Sequence, residues 1–171
     1  MVGDTTLIPQ KAALSTSDGE KSGLGRFEEA QGLAPEVWAL ANGLGNELDL
    51  VRTLWLQSRV DAGLSRRKEA LPALEQVKRY FTENEIAYDA AVASLEVAIL
   101  YLEEERTRGV KRLAEELLWV FQGQGVHQEA LAALRLFCEA ARKEEATVQL
   151  TRRVVDYLLR SRHNPDLPFE P

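Results

Sequence analysis

The sequence predicts an all-α protein, a solenoid of antiparallel helical hairpins with a period of about 40 residues. Three observations lead there. The stretches GLGRFEEA (23–30) and GLSRRKEA (63–70) share five of eight residues and begin forty positions apart. The register then continues without a gap: Ala30 falls on Ala70, Val110 and Leu150, and Ser58 on Ala98 and Cys138. Leu54 likewise falls on Ser94 and Leu134, and Leu74 on Ala114 and Val154. Finally, apolar residues recur at helical spacing between the loops, and no segment has the β-branched alternation of a strand. One hairpin cannot bury its apolar face alone, so hairpins stack and each supplies part of its neighbour's core.

Along the chain, residues 1–24 are expected to be irregular or mobile. Pro9, Ser15, Thr16, Ser17, Gly19 and Gly25 interrupt them, leaving Leu7–Leu14 as a short makeshift helix or part of a tail. Residues 26–44 read as a helix without a partner. Its face of Phe27, Leu33, Val37 and Trp38 lacks half its cover, which either a second copy of the chain or the N-terminal segment folding back would supply. Three hairpins follow, at 47–81, 86–122 and 127–160. In the first, Leu50, Val51, Leu54 and Ser58 mark one inward face and Ala70, Leu74, Val77 and Phe81 the other. Pro72 falls early in its helix, where a missing N–H costs little. The second hairpin is drawn as Ile86–Glu103 and Thr107–Gln122, the third as His127–Lys143 and Glu145–Arg160. Gly63, the charged run Glu103–Arg108 and Gly123/Gly125 punctuate the helices, and an acid recurs at Asp49, Asp89 and Glu129. Ser58, Ala98, Cys138 and Ala70 are small positions at which helices approach closely, with Val110 and Leu150 looser versions. Residues 161–171 form a Pro-rich tail that cannot extend the last helix. Leu167 and Phe169 either cap the final hairpin or belong to a mobile tail or a short linear motif.

A chain of 171 residues, 45% hydrophobic and 28% charged, can fold around a genuine core. Its net charge of −6 weighs against nucleic acid as a partner, and its longest basic run, Ser65-Arg66-Arg67-Lys68, reads as the solvated start of a helix. No apolar stretch approaches the roughly 18–20 residues that span a bilayer, so no membrane partner is expected. The N-terminus lacks the basic-then-apolar order of a secretory signal, and a single cysteine, Cys138, suits a reducing compartment. A cytoplasmic protein is the expectation. Chemistry is sparse. The histidines are His127 and His163, with no nucleophile or carboxylate placed beside them by a motif, and Cys138 falls on a packing position. No metal-ligand spacing, P-loop, GxGxxG or HExxH is present. The expectation is a non-enzyme with no cofactor and no metal.

GRFEEA (25–30) and SRRKEA (65–70) resemble the turn and second-helix signature of the tetratricopeptide repeat family, and ERTRGV (105–110) is a weaker match. Tyr101 keeps the aromatic that the family places late in its first helix, where Asp61 replaces it. The period of forty exceeds the family's usual repeat of about 34 residues. The resemblance covers residues 25–160 and implies a right-handed solenoid with the first helix of each hairpin lining a concave face. The stretches 45–64 and 125–170 are similar to the carboxy-terminal repeat region of larger uncharacterised bacterial proteins, some of which carry an amino-terminal helix-turn-helix domain; no such segment is visible here. On the concave face the resemblance places Arg52, Trp55 and Arg59, then Leu95, Glu96, Ile99 and Glu103, then Arg135, Leu136, Glu139 and Arg142. Trp55 would be an apolar anchor, and Arg59 and Arg135 carboxylate-binding forks. The alternative is that Trp55 covers the neighbouring repeat and the charges form i,i+4 pairs such as Arg135 with Glu139. The function implied is a protein-protein interaction module that presents this face to a peptide or protein partner. A ligand- or peptide-sensing fragment of a bacterial transcriptional regulator and a self-assembling structural module are the alternatives.

Overall fold

A computed structural model describes residues 14–121, 127–164 and 166–170. Among these residues every regular element is a helix: α1 (Leu14–Leu44), α2 (Glu47–Gly63), α3 (Arg67–Glu83), α4 (Ala87–Glu103), α5 (Thr107–Phe121), α6 (Gln128–Arg142) and α7 (Val148–Ser161). Helices α2, α3 and α4 each have 17 residues. They begin twenty positions apart, so the forty-residue period divides into two equal halves.

The turns explain that spacing. Gly45, Ser65, Glu85, Glu105 and Glu144 adopt positive φ, each just past the end of a helix. At the first hairpin the Arg66 N–H donates to the Asp61 carbonyl at 2.8 Å and the Ser65 N–H to that of Ala62 at 3.0 Å. The same pair of bonds recurs from Ile86 to Phe81 and Glu85 to Thr82, and from Arg106 to Tyr101 and Glu105 to Leu102. It appears once more from Glu145 to Ala140 and from Glu144 to Ala141. This is the Schellman closure, which satisfies the last carbonyls of a helix and reverses the chain within a few residues. At the next helix start, the Asn46 side chain accepts the Leu48 N–H at 3.0 Å; the Thr147 hydroxyl accepts that of Leu150 at 3.1 Å before α7.

Consecutive helices pack on one another, and α7 also packs along α4. The frame positions form the core: Ser58, Ala70 and Ala98 are wholly buried, and Cys138 and Val110 nearly so. Helix α4 is apolar all round, and eleven of its seventeen residues are buried. Such a helix must be covered on every side. Its neighbours are α3, α5 and α7, and α7 runs antiparallel to it, with Arg162 paired to Asp89 at one end and Arg152 to Glu103 at the other. A hairpin stack in the expected order would set α6 beside α4; α7 stands there instead. Leu95, expected on the open face, is consequently fully buried.

Helix α1 begins at Leu14, so residues 14–24, expected to be irregular, lengthen the helix expected at 26–44; residues 1–13 lie outside the described residues. It packs on α2, where the Phe27 ring lies so close over Gly63 that a Cβ there would meet it at 2.5 Å. At the other end the tail folds back on the last hairpin. The Phe169 ring packs edge-on to Tyr157 with centroids 4.9 Å apart, and the Tyr157 hydroxyl donates to the Leu167 carbonyl at 2.8 Å.

Candidate protein-docking site

Positions that are equivalent in the repeat are not equally covered. On α3 the stripe Ala70, Leu74, Val77 and Phe81 is at most 1% exposed. Its counterparts on α1, forty residues earlier, are Ala30, Ala34, Val37 and Ala41. Ala41 is buried, but Val37 is 36% exposed and Ala30 is open. Both α2 and α4 flank α3, whereas α1 leans on α2. Between α1 and α2 lies an apolar cleft of about 540 Å³, walled by Phe27, Leu33, Val37 and Trp38 on one side and by Thr53, Leu56 and Val60 on the other. Arg26 and Arg59 close one end of it. Leu33 and Leu56 are more than half exposed, and Leu40 and Leu44 reach 70% and 71%. Side chains of this size are costly to leave in water as a continuous strip.

The concave-face residues fare differently. Trp55 is buried, its ring edge-on to Phe81 with centroids 5.1 Å apart. Its indole Nε1–H donates to Glu96 Oε2 at 2.5 Å, and Arg59 Nε–H donates to Oε1 of the same carboxylate at 2.5 Å. The Arg59 guanidinium lies 4.8 Å from the Trp55 ring centroid. Arg59 is therefore already engaged by a carboxylate of its own chain, and Trp55 covers the neighbouring helix rather than standing out as an anchor. Burial pushes the Glu96 carboxyl above its usual range, against the opposing pull of Arg59 and Trp55. Arg52 reaches towards Asp89 at 3.8 Å, and Arg162 holds the other carboxylate oxygen of that wholly buried side chain.

Glu96 and Ile99 do line a groove of about 700 Å³, together with Arg59, Arg67, Glu103, Arg152, Asp156 and Leu159. Its walls come from α2, α3, α4 and α7, with Phe27 of α1 at its edge. Arg135, Glu139 and Arg142, on α6, are exposed and lie outside it. Arg152, Asp156 and Leu159 are not among the residues expected from the sequence, because the resemblance puts the second helix of each hairpin on the outer side. The usable signal was the all-round apolarity of α4, which calls for one more covering helix. Leu40, Leu44 and Leu56 were missed as well, although Leu33, Val37, Leu40 and Leu44 share one face of a helix.

The Cys138 thiol is buried, donates to the Ala114 carbonyl at 3.3 Å, and is pushed up to about 12 by desolvation. His127 is exposed, its ring 6.2 Å from that of Tyr88. Among the described residues no group of three or more His, Cys, Asp or Glu side chains is arranged to hold a metal, and no helix is long and apolar enough to cross a membrane. Comparisons of the chain with family models, curated proteins and solved structures find no match.

Proposed function

We propose that the chain is a non-enzymatic, cytoplasmic protein-interaction module that docks an amphipathic helix on the apolar face of α1 and α2. The observation that carries this reading is the exposure on α1 of Ala30 and Val37, whose equivalents on α3 are buried, beside the exposed Leu33, Leu40 and Leu44. The docked helix takes the place that the first helix of a hairpin would hold in front of α1. Apolar anchors at helical spacing seated in a groove supply affinity in such complexes. The tetratricopeptide-like, right-handed stack is part of the proposal. Arg52 meets Asp89 and Arg59 meets Glu96, each 37 positions on, and Lys78 meets Glu116 38 positions on, as parallel equivalent helices of successive repeats would.

The test is selection of helical peptides from a display library against the wild-type chain, with counter-selection against Leu56→Glu. Leu56 is exposed, so the substitution leaves the fold intact, as circular dichroism would verify. Peptides with apolar residues at i, i+3 or i+4 and i+7 that lose binding to the variant are the expected outcome. A library that yields no peptide sensitive to Leu56→Glu sinks the reading.

One observation favours a second site. The groove between α2, α3, α4 and α7 has an apolar floor of Leu74, Leu100 and Val155 under a charged rim, which suits an extended peptide. Peptides whose binding responds to Leu159→Glu and not to Leu56→Glu would select this reading.

A further inference from the structure

Within the docking face, Leu33, Val37, Leu40 and Leu44 are separated by four, three and four residues. This is the spacing of a coiled-coil seam, about 17 Å long. All four side chains are between 36% and 71% exposed. The order of the gaps is the same read from either end. A helix with that property presents the same stripe to an antiparallel copy of itself, as a two-fold interface requires.

Charge points the same way. Residues 30–45 contain one ionisable side chain, Glu36. A seam that selects a foreign helix relies on charged flanks to fix partner and orientation, and this one has almost none. In an antiparallel pairing that sets Leu33 against Leu44 and Val37 against Leu40, Glu36 comes beside Gly43 of the second copy, so no like charges meet.

Resting on the docking function proposed above, we infer that the helix occupying this face is α1 of a second copy of the chain, bound antiparallel about a two-fold axis near residues 38–39. Each copy contributes Leu33, Val37, Leu40 and Leu44 to the seam, with Leu56 and Phe27 at its margin.

Sedimentation equilibrium of the full chain tests this down to roughly 1 µM, where a micromolar dimer is half dissociated. The wild type is expected at twice the 19.1 kDa of one chain. Val37→Lys and Leu40→Glu, both at exposed positions, are each expected to run as folded monomers. Mixed in equal amounts they should recover the dimer, because the register sets Lys at 37 of one copy against Glu at 40 of the other. A parallel pairing sets 37 against 37 and gives no recovery. A wild-type monomer at every concentration overturns the inference and leaves the face to a partner protein or to residues 1–13. A dimer that survives Leu40→Glu overturns it too, as does a mixture that fails to reassociate. A wild-type monomer that still binds amphipathic peptides in a Leu56-dependent way separates the failure of this inference from failure of the docking function.

Discussion

Tyr101 is held from three sides. Its hydroxyl donates to Glu75 Oε1 at 2.5 Å, the Arg106 guanidinium covers its ring at 4.1 Å, and Gly109 lies beneath it. A Cβ at Gly109 would meet the ring at 2.7 Å. Gly109→Ala gains about 1 kcal/mol in helix propensity but displaces a ring that cannot yield, which costs about 1–3 kcal/mol. A net destabilisation of about 1 kcal/mol is expected, read as a lower urea midpoint; an unchanged or higher midpoint would show that the ring moves freely. Glu96 is one residue whose ionisation bears on stability. Burial raises its folded-state pKa above the unfolded value, so between the two the folded chain binds more protons. The stability this contributes is present below the unfolded value, near 4.3, and is lost as the pH rises through the folded one. Relative to Glu96→Gln, the wild-type melting temperature should therefore improve as the pH is lowered from about 7 to about 4. A difference that stays flat or moves the other way contradicts the assignment.

The helices owe their boundaries to local chemistry. Ser65, Glu85, Glu105 and Glu144 hold left-handed conformations that glycine would adopt without strain. A non-glycine residue there costs about 1 kcal/mol, against a smaller entropic loss for glycine. Glu105→Gly is expected to stabilise by about 0.5 kcal/mol. Gly32 presents the opposite case: it sits inside α1, and a Cβ there meets nothing within 4 Å. Gly32→Ala should stabilise by about 0.5–1 kcal/mol. Thermal melts of the two variants check both signs, and a loss in either would reveal a contact that the backbone argument omits. Much of this level was legible beforehand. Ser58, Ala98 and Cys138 were recognisable as close-approach positions because only small residues recur there, and all three are buried. The C-terminal extent of α1 was legible too. Its extension back to Leu14 was not, because serines and glycines argue against a helix by propensity, and propensity is a weak prior.

At the scale of the molecule, the contact of α7 with α4 and the folded-back tail decide the shape of the C-terminal half. Asp89 is 1% exposed and is the carboxylate on which Arg162 and Arg52 converge. Arg162→Ala strips the buried Asp89 carboxylate of its nearest partner and should cost about 3 kcal/mol, whereas Asp89→Ala leaves only water-accessible arginines and costs less. Equilibrium unfolding with both in a double-mutant cycle measures the coupling, and purely additive effects would refute the clasp. The tail adds a second tie. Phe169 packs on Tyr157, its N–H donates to Glu129 at 3.2 Å, and Arg153 donates to the Glu170 carbonyl at 3.0 Å. Phe169→Ala should destabilise by about 1–2 kcal/mol; a melting temperature equal to wild type would mean that the tail rests on α7 without holding it.

The sequence by itself determined that this protein is helical, where most helices begin and end, and which small residues let them touch. Those properties follow from side-chain periodicity and turn chemistry within some twenty residues, and the chain states them repeatedly. The tertiary structure alone decided which helix lies beside α4, and with it which side chains remain free. Trp55 and Arg59 are bound to Glu96, Asp89 is clasped by Arg162, and the apolar stripe of α1 is left open. Each of these depends on how one hairpin turns against the next. That rotation is set by the packing of surfaces far apart in the chain, which no local pattern encodes.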